Sequence, residues 1–268
     1  MAHQITSASN PLIKTLKALH AKKGRAESGL FLAEGARLAR EAADLGVWPD
    51  TMLYAADALQ RGQVRDLVSQ AERLGVRVVE TNERLLSGIA KRDNAQTVIG
   101  AYRQAITPLE AIDGEVVVAL EGVRDPGNLG TILRTADAVG AAGVVLLGAS
   151  CDPFSVEAVR ASMGSIFAVK LARASFDELL AYKKKRNSIL IGASLKGSIL
   201  DADRAIRGRL VLLMGNEQSG LAADMEAACD LLVKLPMRGR ADSLNLAVAT
   251  AVMLYDLWRR RGYDGDRA

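Results

Sequence analysis

The chain has 268 residues, 49% of them hydrophobic and 25% charged, with a formal charge of +4. This is the composition of a soluble globular protein, long enough for one large domain or two ordinary ones. Its two cysteines, Cys151 and Cys229, stand far apart without metal-ligand spacing, which argues against a disulfide framework and for a reducing cytoplasm.

Five basic side chains (Lys14, Lys17, Lys22, Lys23 and Arg25) and no acidic ones occur between Met1 and Ala26. The lysines interrupt any apolar leader, and no later apolar run reaches the length of a membrane span. A one-signed block of this kind suits a polyanion, because neutralised phosphates release counterions. Within it Leu12, Leu16 and Leu19 recur at helical spacing, predicting one helix from Pro11 to Lys23 that Gly24 ends. A short strand is expected near Phe31, then a helix over 34–45 with Gly46 as its stop. Further strands are expected at 51–54, 76–79 and 98–102, with helices over 58–74 and 83–89 between them. Together these make a small α/β unit of about a hundred residues. Pro108 and Gly114 mark residues 107–114 as a linker, dividing the chain into domains 1–106 and 115–268.

After the linker, Val116 to Leu120 is an apolar run suited to a strand buried on both faces. A helix over 128–139, a strand over 144–147, a helix over 156–162, a strand near 167–171 and a helix over 176–185 follow. Strands at 189–193, 210–214 and 231–235 precede a closing amphipathic helix over 243–260. Strands alternating with long helices predict an α/β fold with a mostly parallel sheet covered on both faces. The clusters Lys183 to Arg186 and Arg259 to Arg261 read equally well as polyanion patches or as solvated helix ends.

Three segments place polar residues where an apolar strand ends: Asn128 to Arg134, Met214 to Leu221, and Leu235-Pro236-Met237 running on to Ser243-Leu244-Asn245. Open α/β sheets bind ligands at those ends. No G-x-G-x-x-G opens the first βα unit, and no phosphate-binding P-loop occurs anywhere. The only histidines, His3 and His20, lie outside these segments, so neither a Ser-His-Asp triad nor a His-ligated zinc has its parts. What remains is Arg, Asn, Glu and Ser, residues that bind phosphates and hold hydroxyls. Asn128 can cap the helix it opens, and Arg134 lies about a turn and a half further along. On spacing alone, both equally fit a plain cap and a surface ion-pair partner. Gly215 allows close backbone approach, Gly220-Leu221 is expected to start a helix, and Ser243 to cap the last one. Asn245 then falls in that helix's first turn, where propensity alone would not choose it.

From Val116 to Arg260 the order and spacing of these segments resemble the SpoU family of RNA ribose 2′-O-methyltransferases. The resemblance implies a C-terminal trefoil knot, a homodimer, no metal, and S-adenosylmethionine as methyl donor. It implies catalytic roles for Asn128, Arg134, Glu217, Ser243 and Asn245, with the cofactor held by Ala193, Ser194, Gly215, Leu235, Met237 and Leu244. Arg134 would clamp an RNA phosphate. The family is also held to use this Arg as general base, although a guanidinium with a pKa above about 12 rarely gives up its proton. The N-terminal third resembles, more loosely, a ribosomal-protein-like substrate-binding domain. Lys14, Lys17, Lys22, Lys23, Arg25, and Lys91 and Arg92 of the segment 91–94, are its expected RNA contacts. Ribosomal RNA is the implied substrate. A tRNA methyltransferase is the alternative within the class, and a non-catalytic RNA-binding assembly factor the alternative outside it.

Overall fold

The computed structural model describes residues 3–92, 96–199 and 206–266. Its first elements are β1 (His3–Gln4), α1 (Pro11–Ala18), α2 (Lys22–Ser28), β2 (Leu30–Glu34), α3 (Ala36–Asp44) and β3 (Thr51–Ala55). After them come α4 (Gly62–Arg73), β4 (Arg77–Thr81), α5 (Glu83–Ala90) and β5 (Val98–Arg103). Then follow β6 (Val116–Glu121), α6 (Pro126–Ala138), β7 (Gly143–Leu147), α7 (Val156–Ser162), α8 (Ser165–Ala168), β8 (Leu171–Ala174) and α9 (Phe176–Arg186). β9 (Ile189–Ser198), β10 (Leu210–Met214), α10 (Ala223–Ala228), β11 (Leu231–Val233) and α11 (Leu246–Arg259) complete the chain. Two compact units result: residues 1–104 with 152–168, and residues 105–151 with 169–268.

The first unit holds a mixed five-stranded sheet in the order β1-β4-β3-β5-β2. The predicted single N-terminal helix is two helices, and Gly24 lies inside the second instead of ending the first. Its role is close approach: a Cβ there would fall on the carbonyl oxygen of Ala18. The predicted helix over 58–74 begins as a 3₁₀ turn at Ala56–Gln60 before α4. The segment that carries α7 and α8 leaves after β7, packs into this unit, and returns as β8. Phe154 and Phe167 from it stack on Phe31 at ring separations of 5.0 and 5.9 Å. Arg160 places one guanidinium nitrogen 2.7 Å from both oxygens of Glu34, whose side chain is only 3% exposed. Phe167 is therefore drawn into this aromatic cluster at the end of α8, and the strand expected at 167–171 starts later, at Leu171.

The second unit is a six-stranded, wholly parallel sheet in the order β11-β9-β10-β6-β7-β8. Its central strands read VVVALE, GVVLL and LVLLM, and Val118, Leu120, Val144, Leu147, Leu212 and Leu213 are fully buried. Each such side chain contributes roughly 1.5–3 kcal/mol by leaving water, so continuous apolar runs fix a strand covered on both faces. Leu109 and Ile112, in the predicted linker, are also buried in this core. The last strands are not added in sequence order. From β9 the chain enters β10 between β9 and β6, then crosses back to add β11 outside β9. Among the described residues no helix is long and apolar enough to cross a membrane.

Candidate active site

The carboxyl ends of β6, β9, β10 and β11 open into loops that carry the three sequence segments. After β6, Asp125 caps α6: its Oδ1 accepts the Asn128 N–H at 2.6 Å, with Pro126 in the first turn. This differs from the expectation that Asn128 is the cap. Pro at the first helical position lacks the N–H that would be unsatisfied there anyway, so the cap falls one residue before it and the Asn128 side chain is left free.

That freed amide joins two other segments. Asn128 Nδ2 donates to Glu217 Oε1 at 3.4 Å, and Asn128 Oδ1 accepts from Asn245 Nδ2 at 2.9 Å. Asn245 is itself the cap of α11, its Oδ1 accepting the Ala247 and Val248 N–H groups at 2.9 and 3.3 Å. The expectations of Ser243 as cap and Asn245 within the first turn are thus corrected by two residues. A cap is where Asn is favoured, so propensity and the amide network agree on this residue. Glu217 also faces the backbone N–H groups of Arg124 and Asp125, at 3.4 and 3.5 Å.

The loop after β10 is closed by Asn216. Its backbone pairs with Gly220 in both directions, and its Nδ2 donates to the Gly122 carbonyl at 2.7 Å, tying this loop to the one after β6. A Cβ on Gly215 would collide with the Gly220 backbone. The chain therefore makes a tight turn over 216–220, and the helix expected at Gly220-Leu221 begins only at Ala223.

Two adjoining cavities result. The inner one, about 450 Å³, is lined by all six residues expected to hold a cofactor: Ala193, Ser194, Gly215, Leu235, Met237 and Leu244. Its wall contains a contact that sequence reading missed. Glu226 accepts from Ser194 Oγ at 2.6 Å and from Lys196 Nζ at 2.7 Å, joining the end of β9 to α10. The Lys196 ammonium and then the Ser194 hydroxyl hold the Glu226 carboxyl below the usual carboxylate range. The outer cavity, about 630 Å³, is lined by Asn128, Glu217, Ser243 and Asn245 together with Arg124, Asp125 and Gln218. Glu217 and Ser243 line both.

Arg134 is not brought in with them. It is exposed on α6, lines neither cavity, and has no hydrogen-bond or ion-pair partner among the described residues. Burial, and then Asp224, push the Glu121 carboxyl above its usual range, yet Glu121 lines neither cavity. Burial likewise raises the Cys229 thiol to about 11, and its Sγ donates to the Met225 carbonyl at 3.2 Å. Such a thiol is a packing group, protonated at neutral pH. No group of three or more metal-ligating side chains is gathered among the described residues.

In the N-terminal unit Lys14, Lys22 and Lys23 are exposed and Lys17 half-buried. α1 packs on α5, at whose C-terminal end Lys91 and Arg92 are also exposed; Asp93 and Asn94 lie outside the described residues. Arg25 departs from this group. It is 4% exposed, donates to the Leu19 and His20 carbonyls, and pairs with Asp152 at 2.7 Å. The later basic clusters are largely engaged locally. Lys183 pairs with Asp230, Arg186 with Asp113, Arg259 and Arg260 with Asp256, and Arg261 with Glu115.

Known proteins share this fold. A 23S rRNA (guanosine(2553)-2′-O)-methyltransferase, RlmP, from Bacillus subtilis is 30% identical over 95% of this chain and 98% of its own length. The crystal structure of an AdoMet-bound rRNA methyltransferase from Sinorhizobium meliloti matches with a TM-score of 0.88 and 42% identity, covering 96% of this chain and 98% of that one. The SpoU methyltransferase AviRb from Streptomyces viridochromogenes, in complex with AdoMet, matches with a TM-score of 0.84 and 28% identity over 96% of this chain and all of that one. Residues 10–100 match the MRM3-like substrate binding domain, and residues 115–255 match the SpoU rRNA Methylase family. The chain is a member of the SpoU rRNA methylase family.

Proposed function

We propose that this protein transfers a methyl group from S-adenosylmethionine to a ribose 2′-hydroxyl of ribosomal RNA. The observation that carries the reading is the pair of adjoining cavities sharing Glu217 and Ser243, one lined by the expected cofactor residues and the other by four of the five expected catalytic ones, Arg134 standing outside both. The inner cavity fits the cofactor in size, since ligand sites run from roughly 300 to 1,000 Å³. It fits in chemistry too. Loop backbone at Gly215, Leu235 and Leu244 can meet an adenosine, with Ala193, Ser194 and Met237 beside it. S-adenosylmethionine, when bound, supplies an electrophilic methyl group.

The protein's own contribution is positioning, which turns an encounter into an aligned reaction. Glu217, Asn128 and Asn245 form a connected set whose free lone pairs and N–H groups can hold a ribose hydroxyl, with Ser243 at the shared wall. Arg134, exposed on α6 outside both cavities, has the role of clamping a neighbouring RNA phosphate. Lys14, Lys17, Lys22, Lys23, Lys91 and Arg92 grip the RNA, whereas Arg25 stabilises the unit that presents them. The crossing of β10 and β11 around β9 supports a trefoil-knotted C-terminal passage. Pulling the chain by its ends should then give a contour shorter than 268 residues allow. Exposed Val248, Val252 and Tyr255 on α11 support a homodimer, which sedimentation would test. The cell compartment that fits this substrate is the cytoplasm.

The test is incubation with methyl-labelled S-adenosylmethionine and unmodified total RNA, followed by sizing and nucleoside digestion, in parallel with Arg134→Ala. Ribose label in rRNA that the variant loses is the expected result. Label in tRNA overturns the substrate, and RNA binding without label in any RNA overturns the enzyme reading.

A further inference from the structure

The outer cavity has an electrostatic peculiarity. Among the described residues its ionisable lining consists of two carboxylates, Asp125 and Glu217, and a single cation, Arg124. A polyanion approaching such a cavity meets net negative charge unless that one guanidinium receives it. Arg124 is free to do so. It is exposed, and the one side-chain bond it makes among the described residues is from Nη1 to Gln218 Oε1 at 3.4 Å, a long contact that engages one of five donors. Its backbone is fixed nonetheless. The Arg124 N–H faces Glu217 Oε2, and Asp125 beside it caps α6. A guanidinium set on a fixed backbone at a cavity mouth matches the bidentate geometry of a phosphodiester.

We propose that Arg124 binds a backbone phosphate flanking the target nucleotide and so admits RNA to an otherwise acidic cavity. This rests on the reading of the protein as an RNA methyltransferase. The position differs from that of Arg134, which lies outside the cavity lining: Arg124 meets its phosphate at the mouth of the cavity itself. Arg124→Ala is a clean probe, because the side chain is exposed and the backbone N–H that faces Glu217 survives the change.

The experiment uses the full chain and an unmodified large-subunit rRNA transcript. Initial rates against RNA concentration are measured at saturating S-adenosylmethionine. RNA affinity is measured across a series of salt concentrations, and S-adenosylhomocysteine affinity by calorimetry. Arg124→Ala is expected to raise KM for RNA about tenfold, far more than it changes kcat. The slope of log affinity against log salt should fall by about one, the signature of one lost phosphate contact. Arg124→Lys should restore the slope but only part of the affinity, since it keeps the charge and loses the fork. S-adenosylhomocysteine binding should be unchanged in both variants. An unaltered KM and slope in Arg124→Ala, beside an active wild type, overturns the role of Arg124 alone. A wild type that binds S-adenosylhomocysteine but labels and binds no RNA overturns the underlying reading, and this role with it.

Discussion

The two units of the chain use charge in opposite ways. In the N-terminal unit, charged side chains are buried and spent on architecture: Arg25 with Asp152, and Arg160 with Glu34. In the C-terminal unit the sheet core is an apolar cluster, and the site is held together by amides in and after the loops that follow the strands, Asn128, Asn216 and Asn245, around the one carboxylate of Glu217. A basic residue in a basic run is therefore no guide to ligand contact, and an Asn at a helix start can cap and contribute to a site at once. Desolvated ions need complete local pairing, whereas half-exposed amides need only one fixed orientation and keep capacity for a substrate.

The sharpest way to break this contrast is to remove one buried partner. Arg25→Ala should destabilise the protein by about 3–5 kcal/mol, because it strands Asp152 without its cation. A denaturant titration showing a loss below about 1 kcal/mol would mean that water had satisfied the site. The next effect belongs to the amides. Asn128→Ala should lower kcat about 100-fold, on the scale of losing one positioned donor, while stability holds because Asp125 remains the cap. Combining it with Asn245→Ala should cost much less than the product of the single effects, since one contact is removed twice; strict additivity in kcat would dissolve the proposed set.

Smaller effects sharpen the comparison at the surface. Lys14→Ala, Lys22→Ala and Lys23→Ala should each leave stability within about 0.5 kcal/mol. Each should reduce the salt slope of RNA binding by at most about one, opposite in kind to Arg25→Ala. The smallest concerns pH at the inner cavity. Glu226 has a folded value held below the ordinary carboxylate range by Lys196 and Ser194. Its contribution is therefore complete above the ordinary value of about 4.3 and is lost only as pH falls through the lower folded value. Any loss of S-adenosylhomocysteine affinity through this group should therefore appear only below the ordinary carboxylate value of about 4.3. Calorimetry showing a decline already near pH 6 would assign the wall to another residue.

The fold class was legible because β6, β7 and β10 are continuous apolar runs separated by helix-length segments, a pattern with few alternatives. The site was legible as a set of strand ends, though with helix boundaries misplaced by two or three residues. At α6 the correction was available from Pro126, which marks its predecessor as the cap. At α11 both Ser243 and Asn245 are good caps, and only the tertiary hydrogen bond to Asn128 separates them. Periodicity could not assign α7 and α8 to the N-terminal unit, since the 3.6-residue repeat shows a helix's apolar face without showing what covers it. Glu226 was invisible for a related reason: its partners Ser194 and Lys196 lie some thirty residues away in sequence, about the length of a βαβ unit.

The excursion of residues 152–168 into the N-terminal unit bears on how this protein could have been assembled from parts. The backbone passes between the units three times, after Gln104, after Cys151 and after Ala168. A gene fragment ending at Gln104 encodes Glu34 without Arg160, Arg25 without Asp152, and Phe31 without Phe154. The complementary fragment would carry those orphans on a loop with nothing to fold against. The N-terminal unit is thus not a detachable cassette, and a lineage that exchanged it for another substrate-binding domain would have had to rewrite residues 152–168 at the same time.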